Sequence, residues 1–94
     1  MNLKPMTEPE SAALDTRRRR LLFRATHRGT HENDLMIGGF VHQGIAACTT
    51  AELDELETLL ELPDPLLADW LTGRLPMPPD AAPMLQRIRD SLAP

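Results

Sequence analysis

The chain has 94 residues, a net charge of −4, 41% hydrophobic and 26% charged positions; this admits one domain with a modest core and excludes a disordered tail or a cofactor domain joined to a substrate domain. Cys48 is the single cysteine, so no internal disulfide can form and a reducing cytoplasm fits best. No apolar run approaches the roughly 20 residues of a membrane span, and membrane insertion is not expected.

Residues 1–10 read as a flexible N-terminal arm and 11–94 as a small helical bundle. The opening "MNLKPMTEPESAALD" lacks an apolar stretch and carries Glu8, Glu10 and Asp15. That argues against a secretory signal or an acid-poor presequence and points to a bacterial cytoplasm. "DTRRRRLLFRATH" places Leu14, Leu21, Leu22 and Ala25 on one helical stripe, with Ser11 or Asp15 available as N-cap. Gly29 suits the end of that helix, where positive φ is often required. Thr30 can cap the next segment, "HENDLMIGGFVHQ", with Glu32 and Asp34 in its first turn. Gly38-Gly39 should weaken this second helix and bend it.

"TTAELDELETLLEL" carries a capping-box pattern at Thr49 and Glu52 and a stripe of Leu53, Leu56, Leu59 and Leu60. Pro63 ends it. Asp64 is expected to cap "PLLADWLTG", with Pro65 in first position and a stop at Gly73. "RLPMPP" must be extended, and a last helix is expected from Asp80, in which Leu85, Ile88 and Leu92 recur at helical spacing. Trp70 is assigned to the core beside Leu67 and Leu71. No strand alternation occurs, so the fold class is all-α, a single-domain bundle of about five short helices.

Charge is uneven. Six of the ten basic residues are arginines between Arg17 and Arg28, whereas Glu52 to Asp69 holds seven acids and no base. Four consecutive helical arginines point in four directions, so "RRRR" is not one phosphate-binding stripe. Arg17, Arg20 and Arg24 share a flank, while Arg18 falls among the leucines and should lay its stem on the core and meet a carboxylate at the rim. The acidic total and the scarcity of aromatics argue against nucleic acid. A basic-patch protein associated with nucleic acid or the ribosome is the alternative class.

"HRGTHE" concentrates polar chemistry at residues 27–32. His27 and His31 are four apart, but a metal pair at that spacing needs an unbroken helix and Gly29 interrupts it, so two surface histidines are expected and no metal. Cys48 reads as a small buried thiol without the local signature of a nucleophile. Asp54 and Glu55 read as a solvated face. Phe23 points away from the leucine stripe, on the side of His27; either a second helix covers it or it belongs to a contact patch, and coverage is the expectation.

"RRRRLLFRATHRGTHENDLMIGGF" resembles the N-terminal half of the SdhE family, the FAD assembly factors of succinate dehydrogenase. The family motif Arg-Gly-x-x-Glu falls on Arg28, Gly29 and Glu32, followed by Asp34, and Phe40 matches the later aromatic. "LLELPDPLLADWLTG" is similar to the family's third helix, Pro-Asp junction and Trp-Leu helix, so the resemblance runs from Arg17 to Gly73. It implies a five-helix bundle that is not an enzyme. Such a factor binds the flavoprotein subunit of succinate dehydrogenase, in some bacteria fumarate reductase too, and promotes covalent attachment of FAD to a histidine there. FAD then belongs to the partner, and this chain, expected to be a monomer, binds no cofactor stably. The resemblance implies partner-binding residues Arg28, Gly29, Glu32 and Asp34, with Arg24 and His27 beside them. Arg28 would offer a bidentate fork, Gly29 close backbone approach and Glu32 an acceptor, all dispensable for folding.

Overall fold

The first helix begins earlier than its arginine run suggests. In the computed structural model, which describes residues 5–93, α1 spans Glu8–Thr26 and Thr7 Oγ1 accepts the Glu10 N–H at 3.3 Å. Neither Ser11 nor Asp15 is the cap. Pro9 in the first turn and the acids Glu8 and Glu10 at the positive end of the helix complete the start signal. The arm expected over residues 1–10 therefore gives way to helix at Glu8; residues 1–4 lie outside the described residues. From Glu8 to Ala13 every residue is exposed, so this stretch is held by its cap and not by packing.

Helix α2 (His31–Gly44) starts where Thr30 Oγ1 accepts the Asn33 N–H at 3.3 Å. It continues through Gly38-Gly39, against the expected weakness. Gly38 is buried against α1, where a methyl group would stand 2.9 Å from Thr26 Cγ2 and 3.1 Å from the Ala25 carbonyl oxygen. The glycine lets two helices approach more closely than any other residue allows. Gly39 faces open space.

A 3₁₀ turn (Ile45–Ala47) leads to α3 (Thr50–Leu60), whose capping box forms as read: Thr49 Oγ1 accepts the Glu52 N–H at 3.1 Å, and Glu52 Oε1 accepts the Thr49 N–H at 3.0 Å. Helix α4 (Asp64–Thr72) is capped by Pro63, one residue before the expected Asp64, and ends at Gly73 with φ 79°. Helix α5 (Pro83–Leu92) starts three residues after Asp80 and has no capping side chain of its own. Glu55 of α3 supplies one, accepting the Met84 N–H at 2.5 Å, while Asp54 accepts from Arg17 Nη2 at 2.6 Å. The acids read as a solvated face thus tie α3 to α5 and α1.

The core sits where α2 meets α1, α4 and α5, and where α3 closes against α1 and α5. Leu21 and Ala25 enter it from α1, Ile37 and Val41 from α2, the four leucines of the predicted stripe from α3, and Leu85 and Ile88 from α5. Each fully buried leucine contributes about 1.5–3 kcal/mol. Leu67 and Leu71 are buried as predicted, but Trp70 is only half-buried and Leu92 is exposed. Trp70 packs on the core's edge, lining an apolar cavity of about 360 Å³ with Leu59, Leu62, Pro78 and Leu85. Arg18 lays its stem inward as expected; its Nη2 donates to the Cys48 carbonyl at 3.0 Å, with Asp15 at a looser 3.5 Å.

Candidate functional site

The α1–α2 turn is built around Arg28. After His27 caps α1, Gly29 turns the chain at φ 91°, a conformation costly for any residue with a Cβ. Asp34, in the first turn of α2, reaches back to accept the Arg28 backbone N–H at 2.6 Å and fixes the turn.

The Arg28 side chain points inward and is only 9% exposed. Its Nε donates to Asp64 Oδ1 at 2.8 Å, Nη2 to the Leu62 carbonyl at 2.9 Å, and Nη1 to the Leu60 carbonyl. These carbonyls lie at the C-terminal end of α3, where helical acceptors lack partners and partial negative charge accumulates. Only a planar guanidinium can serve three acceptors fixed in this way. The fork expected to face a partner is therefore consumed within the chain, tying the α1–α2 turn to the α3–α4 junction.

Asn33 completes the lock. It is the one buried polar side chain among the described residues, and its Nδ2 donates to both the carbonyl and Oδ1 of Asp64 at 3.0 Å. Burial alone raises the Asp64 carboxyl pKa. The hydrogen bonds from Arg28 and Asn33 and the Arg28 charge outweigh that, leaving it below the ordinary aspartate range. Neither Asn33 nor Asp64 stood among the sequence candidates. Asn33 had a signal, since it shares the i, i+4, i+8 stripe of Ile37 and Val41; Asp64 looked like a helix cap.

The remaining candidates divide by exposure. Glu32 is exposed and pairs with Arg74 Nη2 at 3.2 Å, in a contact that sequence spacing could not show. Gly29 is exposed, with open space around the position of an added Cβ. Asp34 is half-buried and engaged by the Arg28 N–H, while Arg24 and His27 are exposed. Phe23, expected to be covered, is 62% exposed and stacks on the His27 ring, with centroids 4.0 Å apart and planes 14° from parallel. His27 Nδ1 lies 2.9 Å from the Phe23 carbonyl, which fixes that ring. The structure thus joins Arg28, Asp34 and the unforeseen Asn33 and Asp64 into a buried frame. It leaves Gly29, Glu32, Arg24 and His27 on the rim.

Comparison with known proteins places the chain in a family. The family model described as Sdh5, flavinator of succinate dehydrogenase, matches residues 19–92. FAD assembly factor SdhE of Acetobacter pasteurianus is 57% identical over 76 residues, covering 80% of this chain and 70% of its own. The mitochondrial succinate dehydrogenase assembly factor 2 of Mycosarcoma maydis is 38% identical over 76 residues, and that of Dictyostelium discoideum 32% over 69. This chain spans only 32% and 49% of those two proteins. The relatives carry the names of assembly factors, not of enzymes. With the family model covering four complete helices, the frame and its rim, the chain belongs to the Sdh5 family of succinate dehydrogenase flavinators.

Proposed function

We propose that this chain is a cytoplasmic assembly factor that docks on the flavoprotein subunit of succinate dehydrogenase and promotes covalent attachment of FAD to a histidine of that subunit. The observation that carries the reading is a rigidly framed, exposed turn. Gly29 leaves room for another backbone, and Glu32 offers a carboxylate held only by an exposed ion pair with Arg74. Such pairs are worth about 0–1 kcal/mol, so Glu32 can exchange Arg74 for a donor on the partner at little cost. Arg28 cannot do so, because leaving the frame would strand a partly buried carboxylate and two carbonyls.

The chemistry then belongs to the partner, which holds both the flavin and the nucleophilic histidine. This chain's contribution is positional: a docked, preorganised turn restricts the partner's mobile parts to the geometry in which the two groups meet. Because Asp34 and the Arg28–Asp64–Asn33 frame fix the turn before contact, little further ordering cost falls on binding.

The test is affinity capture with the tagged chain from native lysate of its own organism. Recovery of the flavoprotein subunit by the wild-type chain and its loss with Glu32→Ala is the expected result. Equal recovery by both removes the docking turn from the account.

A further inference from the structure

We propose that Phe23, stacked on His27, is the anchor of the docking surface and inserts into an acidic-rimmed apolar recess on the flavoprotein subunit. The inference rests on the docking function above and extends it to a residue of α1 outside the Arg-Gly-x-x-Glu motif. Phe23 is 62% exposed, and among the described residues no helix covers it. Its ring is nonetheless ordered, because His27 one turn later lies against it at 4.0 Å and is itself fixed near the Phe23 carbonyl. A preordered aromatic loses little conformational freedom on binding, which is why such residues become hot spots.

Position and charge identify the occupant. Phe23, Arg24, His27, Arg28 and Asp64 line one shallow concavity of about 240 Å³, so the ring is continuous with the frame that presents Gly29 and Glu32. A partner seated on the turn reaches the ring without a second interface. On the helix surface Arg19 and Arg20 lie one turn before Phe23, and Arg24 adjoins it. None of these three has a carboxylate partner among the described residues, whereas Arg17 is already paired with Asp54 and Glu57. An apolar ring amid unpaired guanidiniums is complementary to an apolar recess edged by carboxylates. A nucleic acid would also meet the arginines. It is disfavoured by the Asp64 carboxylate in the concavity and by the lack of a second exposed aromatic for stacking.

The experiment measures binding of the purified full chain to the recombinant flavoprotein subunit of its own organism by calorimetry, with a thermal melt of each variant. Phe23→Ala is expected to weaken binding about thirtyfold or more while melting as the wild type does, since an exposed ring does not support the fold. Phe23→Leu should recover part of the loss, and Arg20→Glu with Arg24→Glu should weaken affinity most at low salt. Wild-type affinity for Phe23→Ala overturns the proposal. If Glu32→Ala still loses binding in that case, the docking function stands without the anchor; if it too binds normally, both fall. Loss of binding to a single-stranded RNA probe in Phe23→Ala, with flavoprotein affinity intact, overturns it in favour of nucleic acid.

Discussion

Arg28 Nε donates to Asp64 Oδ1 at 2.8 Å across 36 positions of the chain, and through this contact the α1–α2 turn is bolted to the α3–α4 junction. The motif arginine supports the fold; in the proposed docking its part is to hold its neighbours in place.

Arg28→Ala should therefore destabilise the domain by about 2–4 kcal/mol, between the loss of a charged hydrogen bond and the breaking of a fully buried ion pair. Arg28→Lys should recover only a part, because one ammonium cannot reach Asp64 and both carbonyls in their fixed directions. Denaturant unfolding of the three proteins checks this. Equal midpoints for wild type and Arg28→Ala would show that the frame carries no stability.

The frame also sets a pH dependence. The Asp64 carboxyl is depressed in the folded state, so its contribution is present above the unfolded pKa and is lost as pH falls from about 4 through the folded value. Arg28 stays charged throughout. Asp64→Asn should accordingly flatten the decline of stability below about pH 4 while lowering stability at neutral pH. An unchanged acid profile in Asp64→Asn assigns the acid sensitivity to other groups, such as Glu52, held low first by the Thr49 N–H.

Neighbouring glycines should respond with opposite signs. Gly38→Ala forces a methyl against Thr26 and the Ala25 carbonyl and should cost about 1–2 kcal/mol net of its helix-propensity gain. Gly39→Ala meets nothing within 4 Å and should stabilise α2 by about 0.5–1 kcal/mol. Melting curves of both variants decide the matter, and a Gly38→Ala melt at or above that of the wild type contradicts the packing described for Gly38.

Burial first, then the Glu52 charge, raises the Cys48 thiol pKa, against a smaller opposing effect of Arg87 and Arg18. The thiolate fraction at neutral pH is thus below that of a free cysteine, and alkylation should be slower than in the urea-unfolded chain. Mass spectrometry of iodoacetamide labelling at pH 7 measures both rates. Faster labelling of the folded protein would contradict this environment.

What could be read from the sequence was whatever depends on residues three or four apart. The Thr49–Glu52 box, the leucines of α3, the Thr30 cap and the Gly73 stop all have local causes, and each stands where it was read. Thr7 carried the same kind of signal, with Pro9 and Glu10 behind it, but was assigned to an arm. Contacts between distant elements left no such trace. Asp64 looks like a cap beside Pro65, and nothing local says that its carboxylate serves Arg28 and Asn33. Gly38 looks like a helix breaker until α1 is placed against it. Arg28 illustrates the limit most clearly: the motif pointed to this turn, but only the packed structure shows the guanidinium facing inward.

The central claim is that the rim of the turn, and Glu32 above all, serves docking and not folding. Its most direct test is covalent flavin on the succinate dehydrogenase flavoprotein subunit, read as in-gel fluorescence after denaturation, in cells whose only copy of this factor is Glu32→Ala. Loss of the exposed Glu32–Arg74 pair costs at most about 1 kcal/mol, so the variant should melt within a few degrees of wild type. The account predicts that normal melt together with strongly reduced covalent flavin. Undiminished flavin on the subunit, with the variant folded and present at wild-type level, contradicts it.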